Sequence, residues 1–367
     1  MDAIKLRLRS DVPVGVCLSG GLDSSAIVSS LIQKFDKKDL NTFSAVYEKG
    51  QFGDETEFIK LYERELQNMF YTTPTKDSLL KDMEHFVKIH AEPIPATGPY
   101  AQYKVMELAK GNVVVTLDGQ GADEMLGGYH YFFGFYFKDL LKQARITKLF
   151  QEIYYYLKIN KSLFGVKTFL YFLLPKKLRT QVRVNEKVYI NSDFVSKYGK
   201  TNSIAGNLYA ANSLNEALLN HFEYKLEHLL KWEDRNSMAF SLEARVPFLD
   251  HHLVEATLSV DGGEIIKKGM TKHLLRESMR GVLPEKIRLR TDKIGFDTPQ
   301  DEWFRTPEFQ NLVNGILNST RFKNRNLINV DVAKKQYQQH LNKKINCSKE
   351  IWKWIHLELW FREFIDN

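Results

Sequence analysis

Through the first 130 residues, apolar runs of β type alternate with stretches of helical spacing. VPVGVCL (12–18) is nearly continuous in apolar residues and predicts a strand. SSAIVSSLIQKF (24–35) spaces its apolar residues for a helix, and NTFSAVY (41–47) predicts a second strand. Helical patterns follow near 54–69, 76–90 and 99–110, and NVVVTLD (112–118), rich in β-branched residues, predicts a third strand. Strands apolar on both faces and separated by helices predict a parallel sheet covered on both sides. In such a sheet ligands bind beyond the carboxyl ends of the strands.

After residue 130 the β pattern fades. Helical patterns dominate at 213–241 and 327–344, and KEIWKWIHLELWFREFI (349–365) repeats aromatic and aliphatic residues at helical spacing. The Asn- and Ser-rich 187–212 predicts loop. The fold class expected is α/β: a parallel sheet with helices on both faces, extended by a largely helical C-terminal region. Three parts are expected without a clean linker: an α/β core over 1–130, a helical insertion over 131–230, and a helical part over 231–367 that completes the site.

Composition narrows the function classes. With 43% hydrophobic and 26% charged residues, the 367-residue chain has the make-up of a globular protein. Cys17 and Cys347 are its two cysteines, which argues against a disulfide framework or a thiolate zinc site and points to a reducing, cytoplasmic compartment. The charged start MDAIKLRLRSDV does not resemble a signal peptide. LFGVKTFLYFLL (163–174) carries Lys167 and falls short of the ~20 residues a spanning helix needs, so a core or interfacial helix is expected there. The net charge of +7 has a basic cluster at 137–187, including KKLR at 176–179. Such a cluster suits nucleic acid, anionic lipid, a polyphosphate or simply a solvated helix face.

The first chemistry lies in SGGLDSS (19–25), between the first strand and its helix. Glycines permit close backbone approach, serines add hydroxyl donors, and a helix N-terminus favours an anion, so the loop predicts a phosphate site. Ser and Asp also serve as ordinary helix caps. Asp23 would repel a phosphate unless it holds a divalent cation that bridges to the phosphate oxygens. The loop is not of the G-x-x-x-x-G-K-[ST] type. TLDGQGADEMLGGY (116–129) again follows a strand, and Glu124 occupies the place where a dinucleotide fingerprint requires its third glycine. In a parallel sheet this loop can bring Asp123 beside Asp23, two carboxylates able to share one Mg2+. A capped helix start is the plainer account of the same acids.

The ordered words LRSDVPVGVCLSGGLDSS, LDGQGADEMLGGY, SLEARVPFLD (241–250), KHLLRE (272–277) and DKIGFDTP (292–299) resemble the synthetase domain of the glutamine-dependent asparagine synthetases. These belong to the N-type ATP pyrophosphatases (PP-loop enzymes), which cleave ATP between the α and β phosphates. The resemblance implies a fold of the adenine-nucleotide α-hydrolase kind. It also implies a two-step ligation that uses ATP and Mg2+. A carboxylate, aspartate first among candidates, attacks the α-phosphate and releases pyrophosphate; ammonia then converts the acyl-adenylate to an amide and AMP. Ser19, Gly20, Gly21, Asp23, Ser24 and Ser25 would cradle pyrophosphate. Leu18 and Val46 would line the adenine site, Asp118 and Gly119 would contact the nucleotide, and Asp23 and Asp123 would bind the metal. Lys293 would stabilise charge developing on the phosphates, where a preorganised cation acts on the transition state.

Glu243 and Arg245 either grip a substrate carboxylate or form a structural pair, and Asp234 and Arg235 are weaker substrate candidates of the same kind. Two features depart from the family. Gln120 stands where asparagine-forming members usually carry Glu, and an amide is neither a general acid nor a general base at neutral pH. Similar DGQGADE loops occur in family members resembling enzymes of surface-polysaccharide or peptide tailoring, so another carboxylate is an alternative substrate. The family's amino-terminal glutaminase domain has no counterpart in residues 1–367; a fragment of a longer enzyme is expected first, with a separate glutaminase, free ammonia or an amine substrate as alternatives. A tRNA-modifying reading finds neither a thiolate pair nor an RNA-binding module to support it, so no nucleic-acid partner is expected.

Overall fold

The structure, a computed structural model, describes residues 1–175, 178–179, 182, 187–199, 203–292, 295 and 297–366. Its sheet has five strands: β1 (Val14–Cys17), β2 (Asn41–Ala45), β3 (Asn68–Thr72), β4 (Val115–Leu117) and β5 (Glu243–Arg245). Their order is β3-β2-β1-β4-β5, and every pairing is parallel. β1 lies at the centre because it is apolar on both faces. Val16 joins the core formed with helix Leu22–Phe35, whereas Cys17 joins Val105, Met106 and Ala109 of helix Gly98–Ala109. Alternation along one strand therefore feeds two helical layers.

The helices at 76–90 and 99–110 appear as Lys76–His90 and Gly98–Ala109, but four expectations need correction. The expected helix over 54–69 reduces to Thr56–Ile59 and a turn at Lys60–Tyr62, and its end enters β3. As an edge strand with half-exposed Asn, Met and Phe, β3 lacks the two-faced apolar signature of β1. The β structure also does not end at residue 130: β5, only three residues long, pairs with β4 in the register Val115↔Glu243. The helix expected over 213–241 breaks at Lys225 into Leu214–Tyr224 and Leu226–Met238. The 187–212 stretch contains helices Ser192–Tyr198 and Ser203–Leu208.

Both later parts share cores with the first 130 residues. Helices Phe132–Lys142, Ile146–Asn160 and Phe164–Leu173 contribute Phe133, Phe137, Tyr156 and Phe172 to the core that holds Val16 and Leu117. Helix Ser348–Phe364 buries Trp352 and Trp354 in a second core with Phe86 and Tyr100.

The Arg245 side chain ties the β5 edge to the chain start. It donates from Nη1 to the carbonyls of Arg7, 2.7 Å, and Arg9, 2.9 Å, and from Nε to Glu243, 2.7 Å. Arg7 in turn pairs with Asp250 at 2.7 Å. Arg245→Ala strips donors from two carbonyls, and we expect a stability loss of about 1–3 kcal/mol in denaturant unfolding with nucleotide affinity unchanged. Normal stability with weakened substrate binding would instead restore Arg245 to substrate recognition.

Candidate active site

The loops after β1 and β4 meet at the carboxyl edge of the sheet. Gly20 turns the first loop with φ +80, and Gly21 stands at the N-terminus of helix Leu22–Phe35 without a side-chain cap. The leading N–H groups of that helix are thus not capped by the residue before it. Ser19 and Ser24 brace the turn: Ser19 N–H donates to Ser24 Oγ at 3.2 Å, and the two hydroxyls lie 3.1 Å apart. The second loop sits on this turn, because a Cβ at Gly119 would lie 3.0 Å from Asp23 Cβ and 3.2 Å from Ser24 N. Together the loops wall a cavity of about 290 Å³, lined also by Gln102, Gln120, Tyr129 and Trp232.

One ammonium organises the carboxylates. Lys272 Nζ lies 2.6 and 2.5 Å from the two oxygens of Asp23 and 2.6 Å from Asp123 Oδ1. Burial lowers the proton affinity of Lys272, and the charge of Asp23 opposes that shift. The approach requires Gly128, where a Cβ would overlap the Asp123 carboxylate and lie close to Lys272 Cε. Two further cations flank the first loop. Arg290 is fixed by Glu55 at 2.5 Å and Asp292 at 2.8 Å, and donates to the Gly20 carbonyl at 3.2 Å. Arg276 is lowered to about 10 by burial and donates to the carbonyls of Thr271 and Arg288. Lys272, Arg276 and Arg290 all line the cavity, together with their neighbours Asp23, Asp123 and Asp292, so its phosphate-loop end alternates cations with carboxylates.

Converging carboxylates with a cation between them fit a hard divalent ion completed by phosphate oxygens. Asp23 and Asp123 are the residues that would hold it. Among the described residues no group of three or more His, Cys, Asp or Glu is arranged to hold a metal ion.

Beneath the cavity is a second carboxyl pair. Asp118 is buried, accepts from Thr116 Oγ1 at 2.9 Å, and is pushed up to about 6 by desolvation. Glu233, from helix Leu226–Met238, is also buried and lies against Asp118 and Gln120. Burial, then the charge of Asp118, raises its proton affinity well above the usual carboxylate range. Two adjoining buried carboxyls cannot both ionise, so the pair holds a proton between them. Cys17, raised by burial and by Asp118, remains a thiol.

Ser19, Gly21, Asp23, Ser24, Asp118, Gly119, Gln120 and Asp123 therefore share one cavity. Leu18 is buried behind it, its N–H donating to Phe43 O and its carbonyl accepting from Ser44 Oγ. Gly20 faces Glu55 and Phe58, and the Ser25 hydroxyl is wholly buried without a partner. Val46 continues β2 by a bond to Thr72 O, and it is Ala45 that lines a small recess sharing Ser19. The four substrate candidates do not line the cavity. Asp234 is exposed, Arg235 donates to Ile89 O, and Glu243 and Arg245 serve the sheet edge. Lys293 lies outside the described residues. Sequence reasoning missed Lys272 and Glu233; KHLLRE stood out as a motif, but nothing in it told that its lysine reaches back 249 positions to Asp23.

The asparagine synthase family model matches residues 1–362. "Asparagine synthetase [glutamine-hydrolyzing] 1" of Bacillus subtilis (strain 168) is 28% identical over 388 residues, covering 98% of this chain and 57% of that protein. "Putative asparagine synthetase [glutamine-hydrolyzing] 2" of Methanocaldococcus jannaschii is 33% identical over 192 residues, 52% of this chain and 36% of the relative. "Amidase chry2" of Gibberella zeae is 23% identical over 353 residues, 83% of this chain and 52% of that protein. The chain spans about half the length of the curated relatives it matches.

The buried pair sets a pH signature. The raised folded-state proton affinity of Glu233 means that its stabilising contribution is whole at low pH and is lost as pH rises above the unfolded value of 4.5 toward the folded one. Glu233→Gln keeps a neutral hydrogen-bonding group there. Relative to the parent, the variant should gain about 1.4 kcal/mol per pH unit above that value in urea unfolding. Parallel pH profiles of variant and parent would mean that Glu233 is ionised in the fold.

Proposed function

Because the chain belongs to the asparagine synthase family, we propose that it is an ATP-dependent amide-forming ligase whose chemistry takes place in the cavity between the β1 and β4 loops. The observation that carries this reading is the pair Asp23 and Asp123, drawn together by Lys272 at an uncapped helix N-terminus. Such a site suits a polyphosphate with its cation rather than a neutral ligand.

In this reading ATP lays its β and γ phosphates against Ser19, Gly21, Ser24 and the first helical turn, with Arg276 and Arg290 balancing their charge. Asp23 and Asp123 would hold Mg2+ in place of the Lys272 ammonium, and the ion would supply neutralisation of the phosphate oxygens. A substrate carboxylate oxygen attacks the α-phosphorus, the bond to the bridging oxygen breaks, and pyrophosphate leaves with its electron pair. Cations fixed in the loops stabilise the charge on that leaving group without reorganising. Ammonia then attacks the acyl carbon, a proton is lost from nitrogen, and AMP departs. Lys293 retains the phosphate-facing role that the resemblance implies. Ammonia reaches the site from a glutaminase domain, a separate glutaminase or solution.

The side chain of aspartate is the first candidate acceptor. Gln120 favours a second reading, a different carboxylate: it lines the cavity where asparagine-forming members usually carry Glu, and an amide is neither a general acid nor a general base.

Purified chain given ATP, Mg2+, ammonium and aspartate should release AMP and pyrophosphate in equal amounts, with asparagine appearing by amino-acid analysis. AMP formation only with another carboxylate keeps the mechanism and replaces the substrate. ADP as the nucleotide product would contradict the mechanism.

A further inference from the structure

Helices Ile146–Asn160 and Phe164–Leu173 are joined by a short turn, a hairpin in chain order, and pack their inner sides on helix Phe132–Lys142. Phe172 stacks on Phe135 at 4.0 Å, and Gly165 donates its N–H to Tyr156 Oη at 2.9 Å. The outer side is apolar as well. Phe150, Tyr154 and Leu157, 69%, 58% and 37% exposed, recur at helical spacing on one face of the first helix. Leu163 at the turn and Leu170 on the second helix are 59% and 56% exposed. Among the described residues, 12 of the 28 large hydrophobic side chains left exposed lie between positions 141 and 182. A soluble surface seldom concentrates them so, and a helix apolar on both sides has a second surface to cover.

Charge indicates what covers it. Residues 137–187 contain twelve Lys and Arg against three Asp and Glu, more excess than the net +7 of the whole chain, which leaves the remainder slightly acidic. Lys158, Lys161 and Lys167 are exposed within the apolar face or at its turn, and no carboxylate pairs with them among the described residues. Lys158 Nζ lies 5.9 Å over the Tyr154 ring. Nucleic acid would satisfy the lysines but leave Leu157, Leu163 and Leu170 against water or phosphate. Long cationic side chains whose stems run along aliphatic and aromatic neighbours match the phosphate and acyl boundary of an anionic bilayer. Among the described residues no helix is long and apolar enough to cross a membrane, so the hairpin would lie in the interface plane.

We propose that the outer face of hairpin 146–174 docks the protein on an anionic phospholipid surface. The docked face is formed by side chains apart from those of the catalytic cavity, so docking leaves the chemistry in solution unchanged and fixes where it happens. The test is co-sedimentation of the full chain with phosphatidylcholine vesicles that either contain or lack phosphatidylglycerol. Binding is expected only with phosphatidylglycerol and weakens as salt is raised. Leu157→Glu with Leu170→Glu should lower vesicle partition roughly tenfold or more. Lys158→Glu with Lys161→Glu, which leaves every apolar side chain in place, should do so too. Both doubles should keep the parent's melting temperature and its rate in solution. Equal recovery on both vesicle types, recovery on neither, or partition indifferent to the variants overturns the proposal. A concentration-dependent dimer that the leucine variants dissolve, without vesicle binding, overturns it in favour of a second copy of the chain.

Discussion

Lys272 places one ammonium between carboxylates delivered by two different strands, and the geometry of the cavity follows from that contact. Asp23 stands at the start of the helix after β1, Asp123 in the helical turn after β4, and Lys272 comes from the C-terminal half. Without a cation the two acids would repel across a partly desolvated gap, which a parallel sheet with adjacent loops cannot widen. Gly119 and Gly128 are small for the same reason: side chains there would push the loops apart. The left-handed backbone of Lys272, φ 51, turns the start of helix His273–Ser278 so that its side chain reaches the gap.

The second buried pair follows the opposite logic. Among the described residues no cation stands between Asp118 and Glu233, so their repulsion is relieved by a proton and not by an ion. Gln120 borders both arrangements, lining the cavity in the loop between Asp118 and Asp123. The cavity thus has paired cations and carboxylates at the phosphate loop and a carboxyl pair sharing a proton at the second loop.

The central fold was legible because its signals are local. β1, its glycine turn and the helix after it are contiguous, as are β4 and the second loop, so apolar pattern and turn chemistry revealed both halves of the phosphate site. β5 was not legible: three residues, Glu-Ala-Arg, carry no strand pattern, and they pair with β4 from 128 positions away, as Glu243 does with Val115. Lys272 and Glu233 escaped for the same reason. A lysine before a helix and an acid on an amphipathic helix look like surface residues until tertiary packing buries them. Arg245 was ambiguous in sequence, and its three bonds to the chain start and Glu243 assign it to the sheet edge.

The account turns on Lys272 occupying a place that a divalent ion also fits. The direct measurement is the melting temperature of the parent and of Lys272→Met as Mg2+ is titrated in without nucleotide. The account predicts that Lys272→Met melts lower in the absence of Mg2+, because two carboxylates lose their counter-charge, and that Mg2+ raises its melting temperature more than the parent's. Adding Asp23→Asn to the variant should remove that response. Equal responses to Mg2+ in parent and variant would contradict the claim that ammonium and metal share one site.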